Sequence, residues 1–137
     1  MRVLHVPADL DSLKTIREFV MQVAFDAGLE PQKACRLRLG VDEIAANIIQ
    51  HGYAQMASAQ IVRVCAEEDA QCLKIILEDR GQPYDPRQVP PLESFEMPLE
   101  SRQVGGLGLY LTVNSVDRLE YERCGAWNRI IVIMEKE

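Results

Sequence analysis

The stretch from Pro31 to Gly52 constrains the fold most, because it carries two different surfaces on one helix. Ala34, Leu37, Val41, Ile44 and Ile48 recur at the three- and four-residue spacing of a buried stripe. Gly40, Glu43, Asn47 and Gln50 recur at the same spacing on a neighbouring face. Pro31 suits the first helical position and Gly52 the position just past the last turn. Such a helix lays one side on a core and leaves a polar seam beside that contact.

The flanking segments complete an α+β pattern. Arg2 to Val6 reads as a short strand closed by Pro7. Asp9 is the expected N-cap of a helix running to about Ala27, with Leu13, Ile16, Val20, Val23 and Ala27 on its buried stripe, Phe19 off that stripe, and Gly28 ending it. Gln60 to Glu67 and Cys72 to Glu78 alternate as strands joined by a short polar link, and Arg118 to Arg123 and Trp127 to Met134 form a second hairpin around Cys124-Gly125-Ala126. Between them lies an irregular, proline-rich segment, about residues 86–104, whose length and position predict a lid. A helix to about Val116 follows it. Hairpins with grouped helices predict one domain over residues 1–137, a two-layer sandwich of a mixed, mostly antiparallel sheet with helices on one face.

Composition narrows the function classes. The chain has 137 residues and a formal net charge of -6, which speaks against nucleic acid and for a basic protein partner. No apolar run reaches membrane-spanning length, and Met1 to Pro7 lacks a signal-peptide core. Cys35, Cys65, Cys72 and Cys124 form no Cys-x-x-Cys pair, and only His5 and His51 accompany them, so zinc is not expected; the cysteines read as buried, reduced thiols of a cytosolic protein. His51 suits the negative end of the helix dipole and requires no chemical role.

Three short constellations carry candidate chemistry. Glu43 and Asn47 lie one helical turn apart, where a carboxylate and an amide can serve a hydrated magnesium; taken alone, they also suit a solvated face. Asp79 and Gly81 stand where a strand ends, so the carboxylate can accept from an exocyclic amine and the glycine leaves room for a flat ring; taken alone, they also suit an ordinary turn. Gly105, Gly106 and Gly108 open an apolar helical pattern, where backbone N–H groups can bind phosphate.

In this order, the three pieces resemble the GHKL (histidine kinase-like) ATPase family, which includes gyrase-type ATPases, heat-shock chaperones of the ninety-kilodalton class and histidine kinases. The run from Glu43 to Tyr53 is similar to the N box, Asp79 to Pro86 to the first glycine box, and Val104 to Leu111 to the second. The His-Gly-Tyr and Pro-Tyr-Asp-Pro forms are most similar to the anti-sigma-factor serine/threonine kinase branch. Position 83 is proline where a fuller first box often has glycine, and the lid is short beside that of a histidine kinase.

The resemblance implies the Bergerat ATP-binding fold and roles for matching positions. Asn47 would hold magnesium on the phosphates of ATP, Glu43 would be the catalytic base, and Asp79 would bind the adenine amine beside Gly81. Gly105, Gly106, Leu107 and Gly108 would wrap the phosphates, Arg102 would reach the terminal phosphate, and Asn128 would support Asp79. It further implies a cytoplasmic kinase that phosphorylates a small STAS-type anti-anti-sigma antagonist and sequesters a sigma factor, expected as a homodimer through the first strand and helix near Leu4 and Phe19. A nucleotide-dependent binding module without kinase activity, a phosphatase co-activator of the same branch and a detached histidine-kinase ATPase domain are the competing readings. Absent dimerisation helices and the His-Gly-Tyr ending argue against the last.

Overall fold

The structure, a computed structural model, describes residues 1–52, 60–83, 85–87 and 115–137. The glycine run, Arg102, most of the expected lid and most of the helix expected after Gly105 lie outside the described residues. Those that are described form β1 (Arg2–Pro7), α1 (Ser12–Asp26), α2 (Pro31–Asn47), a π-helical turn (Ile48–Gly52), β2 (Ile61–Glu68), β3 (Cys72–Asp79), β4 (Arg118–Cys124) and β5 (Trp127–Glu135).

The five strands make one sheet in the order β1-β2-β3-β5-β4. Every pairing is antiparallel, so no parallel component of the expected mixed sheet occurs among the described strands. β3 is the middle strand. Its register sets Leu73 opposite Met134, Ile75 opposite Val132 and Leu77 opposite Ile130. These side chains are fully buried, and they join Val62, Val64 and Ala66 of β2 in one core with the two helices. Strand alternation puts all of them on one face.

Both helices lie on that face. α1 contributes Ile16, Val20, Val23 and Ala24, and α2 contributes Ala34, Leu37, Val41, Ile44 and Ala45. Burying a side chain of this size is worth about 1.5–3 kcal/mol, which is what holds the layers together. Phe19, expected off the stripe, is half-buried and packs against the core; the exposed aromatic of α1 is Phe25.

Local chemistry decides where the helices begin and end. α1 starts at Ser12, three residues after Asp9, because Asp9 folds a turn ahead of it. The Asp9 carboxylate still accepts from the Ser12 backbone N–H at 3.0 Å and from its hydroxyl at 3.0 Å, so it satisfies an orphan donor of the first turn. At the other end Gly28 has φ 72°, its N–H donates to Phe25 O, and the Leu29 N–H donates to Ala24 O. That is the Schellman pattern, completed by the buried Leu29. The β4–β5 turn uses Gly125 at φ 61°, the left-handed first position of a type II′ hairpin. Asp69 Oδ1 closes the β2–β3 hairpin by accepting from the Gln71 and Cys72 N–H groups.

Two further expectations are corrected. Of the four cysteines only Cys65 is buried, while Cys35 and Cys124 are exposed and all four are free thiols. The α-helix also stops at Asn47, and the chain continues to Gly52 as a π turn rather than as α-helix.

Gly28→Ala should lower the unfolding free energy by about 1 kcal/mol, because an L side chain resists the left-handed region. The space around a new Cβ is open, so the loss would be a backbone effect alone. Urea denaturation of both proteins measures it, and an unchanged midpoint would contradict the capping account.

Candidate functional site

Four polar side chains are buried among the described residues: Ser12, Asn47, Asp79 and Asn128. Ser12 is accounted for by the α1 cap. Asn47 and Asp79 belong to the constellations read from the sequence, and Asn128 is the residue that the resemblance implies as support for Asp79.

Asp79 continues the inward row Leu73-Ile75-Leu77 as the last residue of β3, so alternation turns it toward the helices. Asn128 stands directly opposite it on β5. The Asn128 amide Nδ2 donates to Asp79 Oδ1 at 3.0 Å, to the Gln82 carbonyl at 2.8 Å and to the Gly81 carbonyl at 3.3 Å. The Gly81 backbone N–H donates to Asp79 Oδ1 at 2.9 Å. One amide on β5 therefore clamps the entire turn that follows β3, and Gly81 is buried in it.

Two residues of the edge strand join this network. The Tyr121 hydroxyl donates to Asn128 Oδ1 at 2.6 Å, and Arg123 Nη1 donates to the Gly81 carbonyl at 2.9 Å. Neither was singled out from the sequence. The available signal was alternation: Leu119, Tyr121 and Arg123 share the inward parity of β4. On the other side of the turn, the Arg80 guanidinium lies 5.5 Å from the centre of the Trp127 ring.

Burial pushes the Asp79 carboxyl above the ordinary aspartate range. The hydrogen bonds from Asn128 and the Gly81 N–H oppose that shift, and the charge of Arg123 adds to the opposition. The result is a carboxylate acceptor kept dry at the end of an apolar row.

Glu43 and Asn47 occupy the last turn of α2, where that helix meets the π turn. Asn47 is buried and Glu43 half-buried. The Asn47 amide Nδ2 donates to the Glu43 carbonyl at 2.7 Å. This spends the donor end of the amide on the helix and leaves the oxygen end as the group for a ligand, which fits the oxygen preference of magnesium. π turns of this kind are frequent at functional sites. Among the described residues no three His, Cys, Asp or Glu side chains gather as a metal cluster, so a cation here would rely on Asn47 and on oxygens of a ligand.

Thus the Asp79, Gly81 and Asn128 group is brought together by hydrogen bonds, and the Glu43 and Asn47 pair by one helical turn. Arg102, Gly105, Gly106, Leu107 and Gly108 lie outside the described residues.

The chain thus carries a strand-end carboxylate clamped from the adjacent strand, and a helix with a Glu and an Asn one turn apart, on an α+β sandwich. Residues 6–135 match the histidine kinase-like ATPase domain, and the chain belongs to that family. It is 24% identical over 139 residues to the serine-protein kinase RsbW of Staphylococcus epidermidis, covering 98% of this chain and 87% of that one. RsbW of a bovine strain of Staphylococcus aureus matches with the same identity and coverage. Among solved structures, the RsbU and RsbW domains of Rv1364c from Mycobacterium tuberculosis superpose with a TM-score of 0.61 at 15% identity, over 98% of this chain and 32% of that one. The chain thus spans about a third of that longer protein. The histidine kinase domain of a blue-light activated histidine kinase from Erythrobacter litoralis gives a TM-score of 0.54 at 17% identity, over 96% and 62% of the two chains. These superpositions show the shared α+β fold. No described helix is long and apolar enough to cross a membrane.

The raised Asp79 carboxyl makes a signed prediction. A group of this kind contributes stability that is present below its unfolded pKa, about 3.9 for Asp, and lost as the pH rises through the folded value. Asp79→Asn removes that loss. The stability of the variant relative to the wild type should therefore rise as the pH is raised above about 4, when urea midpoints are compared at fixed ionic strength. A difference that stays flat across this range would mean that the buried charge has no cost.

Proposed function

We propose that this chain is an anti-sigma-factor-type serine/threonine protein kinase that binds Mg-ATP, phosphorylates a small STAS-type anti-anti-sigma antagonist and sequesters a sigma factor. The observation that carries the nucleotide part is the buried Asp79 acceptor, held by Asn128 and the Gly81 N–H. The kinase part is supported by family membership, by the likeness to proteins named serine-protein kinase, and by the half-buried Glu43 one turn before Asn47.

In this reading the adenine amine donates to Asp79, with Gly81 leaving room for the ring. Asn47 holds magnesium through its amide oxygen, and Gly105, Gly106, Leu107, Gly108 and Arg102 take the phosphates. With magnesium bound, the charge on the transferring phosphoryl group is neutralised. A serine or threonine hydroxyl of the antagonist attacks the terminal phosphorus, its proton passes to the Glu43 carboxylate, and ADP leaves. The reading includes a cytoplasmic location and a homodimer through β1 and α1. In its favour, β1 is an edge strand among the described strands and Val3 on it is exposed.

Two variants separate binding from transfer. Both donors to Asp79 converge on Oδ1. In Asp79→Asn the new carbonyl oxygen is therefore held in that place, and the new NH2 group faces the adenine amine. ATP affinity should fall at least ~10-fold, the worth of a hydrogen bond to a charged group. Isothermal titration reads this, and a wild type that binds no ATP would end the proposal.

Glu43→Gln should keep ATP affinity within a few-fold and slow phosphate transfer by ~10²–10⁴. The assay uses radiolabelled ATP and the antagonist recovered by pull-down from native lysate. Equal transfer by the two proteins would remove Glu43 as the base. ATP binding without transfer by the wild type would point instead to a nucleotide-dependent binding module or a phosphatase co-activator.

A further inference from the structure

We infer that Tyr121 is a positioning residue for recognition of the nucleotide's exocyclic amine: from the edge strand it fixes the Asn128 amide, and through that amide it fixes Asp79 as an acceptor. The inference rests on the nucleotide reading above and adds to it a residue of the edge strand β4, next to the strand that carries Asn128.

Asn128 is fully buried, so each end of its amide must find a partner inside the protein. Its Nδ2 faces three oxygens, on Asp79, Gly81 and Gln82. A flipped amide would turn its own oxygen onto all three, so the orientation is determined by the network. That leaves Oδ1 as the end requiring a donor, and the Tyr121 hydroxyl supplies it at 2.6 Å.

The register makes this contact possible. Tyr121 stands opposite Ile130 on β5, and Asn128 is the diagonal neighbour two residues along, within reach of a long aromatic side chain. Tyr121 is also the one aromatic in the run Arg118-Leu119-Glu120-Tyr121-Glu122-Arg123, and like Leu119 it is half-buried against the core. Phenylalanine would serve the packing equally well; only the hydroxyl serves Asn128.

The consequence runs along the chain of donors. A donor on Oδ1 polarises the Asn128 amide and strengthens its N–H bonds to Asp79. With Asp79 Oδ1 committed to Asn128 and the Gly81 N–H, a ligand donor meets Oδ2. If the hydroxyl is lost, the buried Asn128 oxygen has no side-chain donor among the described residues, the amide shifts to find one, and Asp79 loses a hydrogen bond that favours its charged, accepting form. Arg123, bound to the Gly81 carbonyl, is the nearby cation and stays in place.

The test is Tyr121→Phe, with two nucleotides and one spectroscopic readout. ATP is compared with purine riboside 5′-triphosphate, which has hydrogen in place of the adenine amine, both with magnesium and by isothermal titration. The variant should bind ATP ~3–10-fold more weakly, the fold-change for one net hydrogen bond, and bind the amine-free analogue within about twofold of the wild type. The Asp79 carboxyl, followed by carbon NMR against pH in the free protein, should titrate at a higher pH in the variant. Equal losses for both nucleotides would reduce Tyr121 to a structural residue and overturn the inference, as would no loss for either. An Asp79 titration that does not move would overturn it as well, independently of any nucleotide. A wild type that binds neither nucleotide would overturn the proposed function itself, an outcome distinct from all of these.

Discussion

The register of β3 is the constraint on which the rest depends. Leu73, Ile75 and Leu77 are fully buried under the helices, and Asp79 is the next residue of the same parity. A slip of one position would carry Lys74, Ile76 and Glu78 inward and every core residue outward. The apolar row that holds the layers together therefore also delivers a carboxylate to the helix-facing end of the central strand. Asn128 answers it at the matched position of β5, because Leu77 pairs with Ile130 and Asp79 with Asn128 in a single unbroken ladder. The core and the site obey the same alternation, and neither can shift without the other.

The opposite face of the sheet shows the alternative solution to covering a strand. Arg63, Glu78, Arg129 and Glu122 stand side by side across β2, β3, β5 and β4. Glu78 pairs with Arg63, and Arg129 with Glu122 at 2.8 Å. Cys65, Ile76 and Ile133 are buried on this face as well. Long charged side chains flank them, and such stems lie readily along apolar surface. Ion pairs at a solvent-facing surface are worth about 1 kcal/mol or less each, so they act as cover more than as glue. Burial pushes the Cys65 thiol up, which keeps it protonated and inert.

The two helices meet each other through a comparable device. Asp42 of α2 accepts from Arg17 of α1 at 3.0 Å and from Arg38 of its own helix at 3.4 Å. This pair bridges the helices at their exposed side, while their apolar faces do the packing. It also sets the turn of α2 that carries Glu43 and Asn47, since Asp42 and Glu43 are neighbours. The polar seam thus lies between an ion pair toward α1 and core packing toward the sheet.

Much of this was legible in the sequence, for reasons that are local. The period of Ala34, Leu37, Val41, Ile44 and Ile48 predicted α2 and its buried side, and the glycines at 28 and 125 marked turns that demand left-handed backbone. Alternation predicted four hairpin strands within a residue or two of their ends. Asp79, Gly81, Glu43 and Asn47 stood out because their residue types and spacing fit one chemistry. What the sequence could not contain was pairing between distant segments. Tyr121 and Arg123 look like parts of a charged edge strand until the β4–β5 ladder sets them beside Asn128 and Gly81, 7 and 42 residues away in the chain. Phe19 looked unburied because it lies off the regular stripe, yet it packs against the core from the stripe's flank. The turn after Asn47 is π-helical, a change of winding that the apolar period does not signal. The sequence by itself determined which residues must be inside and which could do chemistry; only tertiary structure decided which of them touch, because strand register and layer packing are summed over the whole sheet.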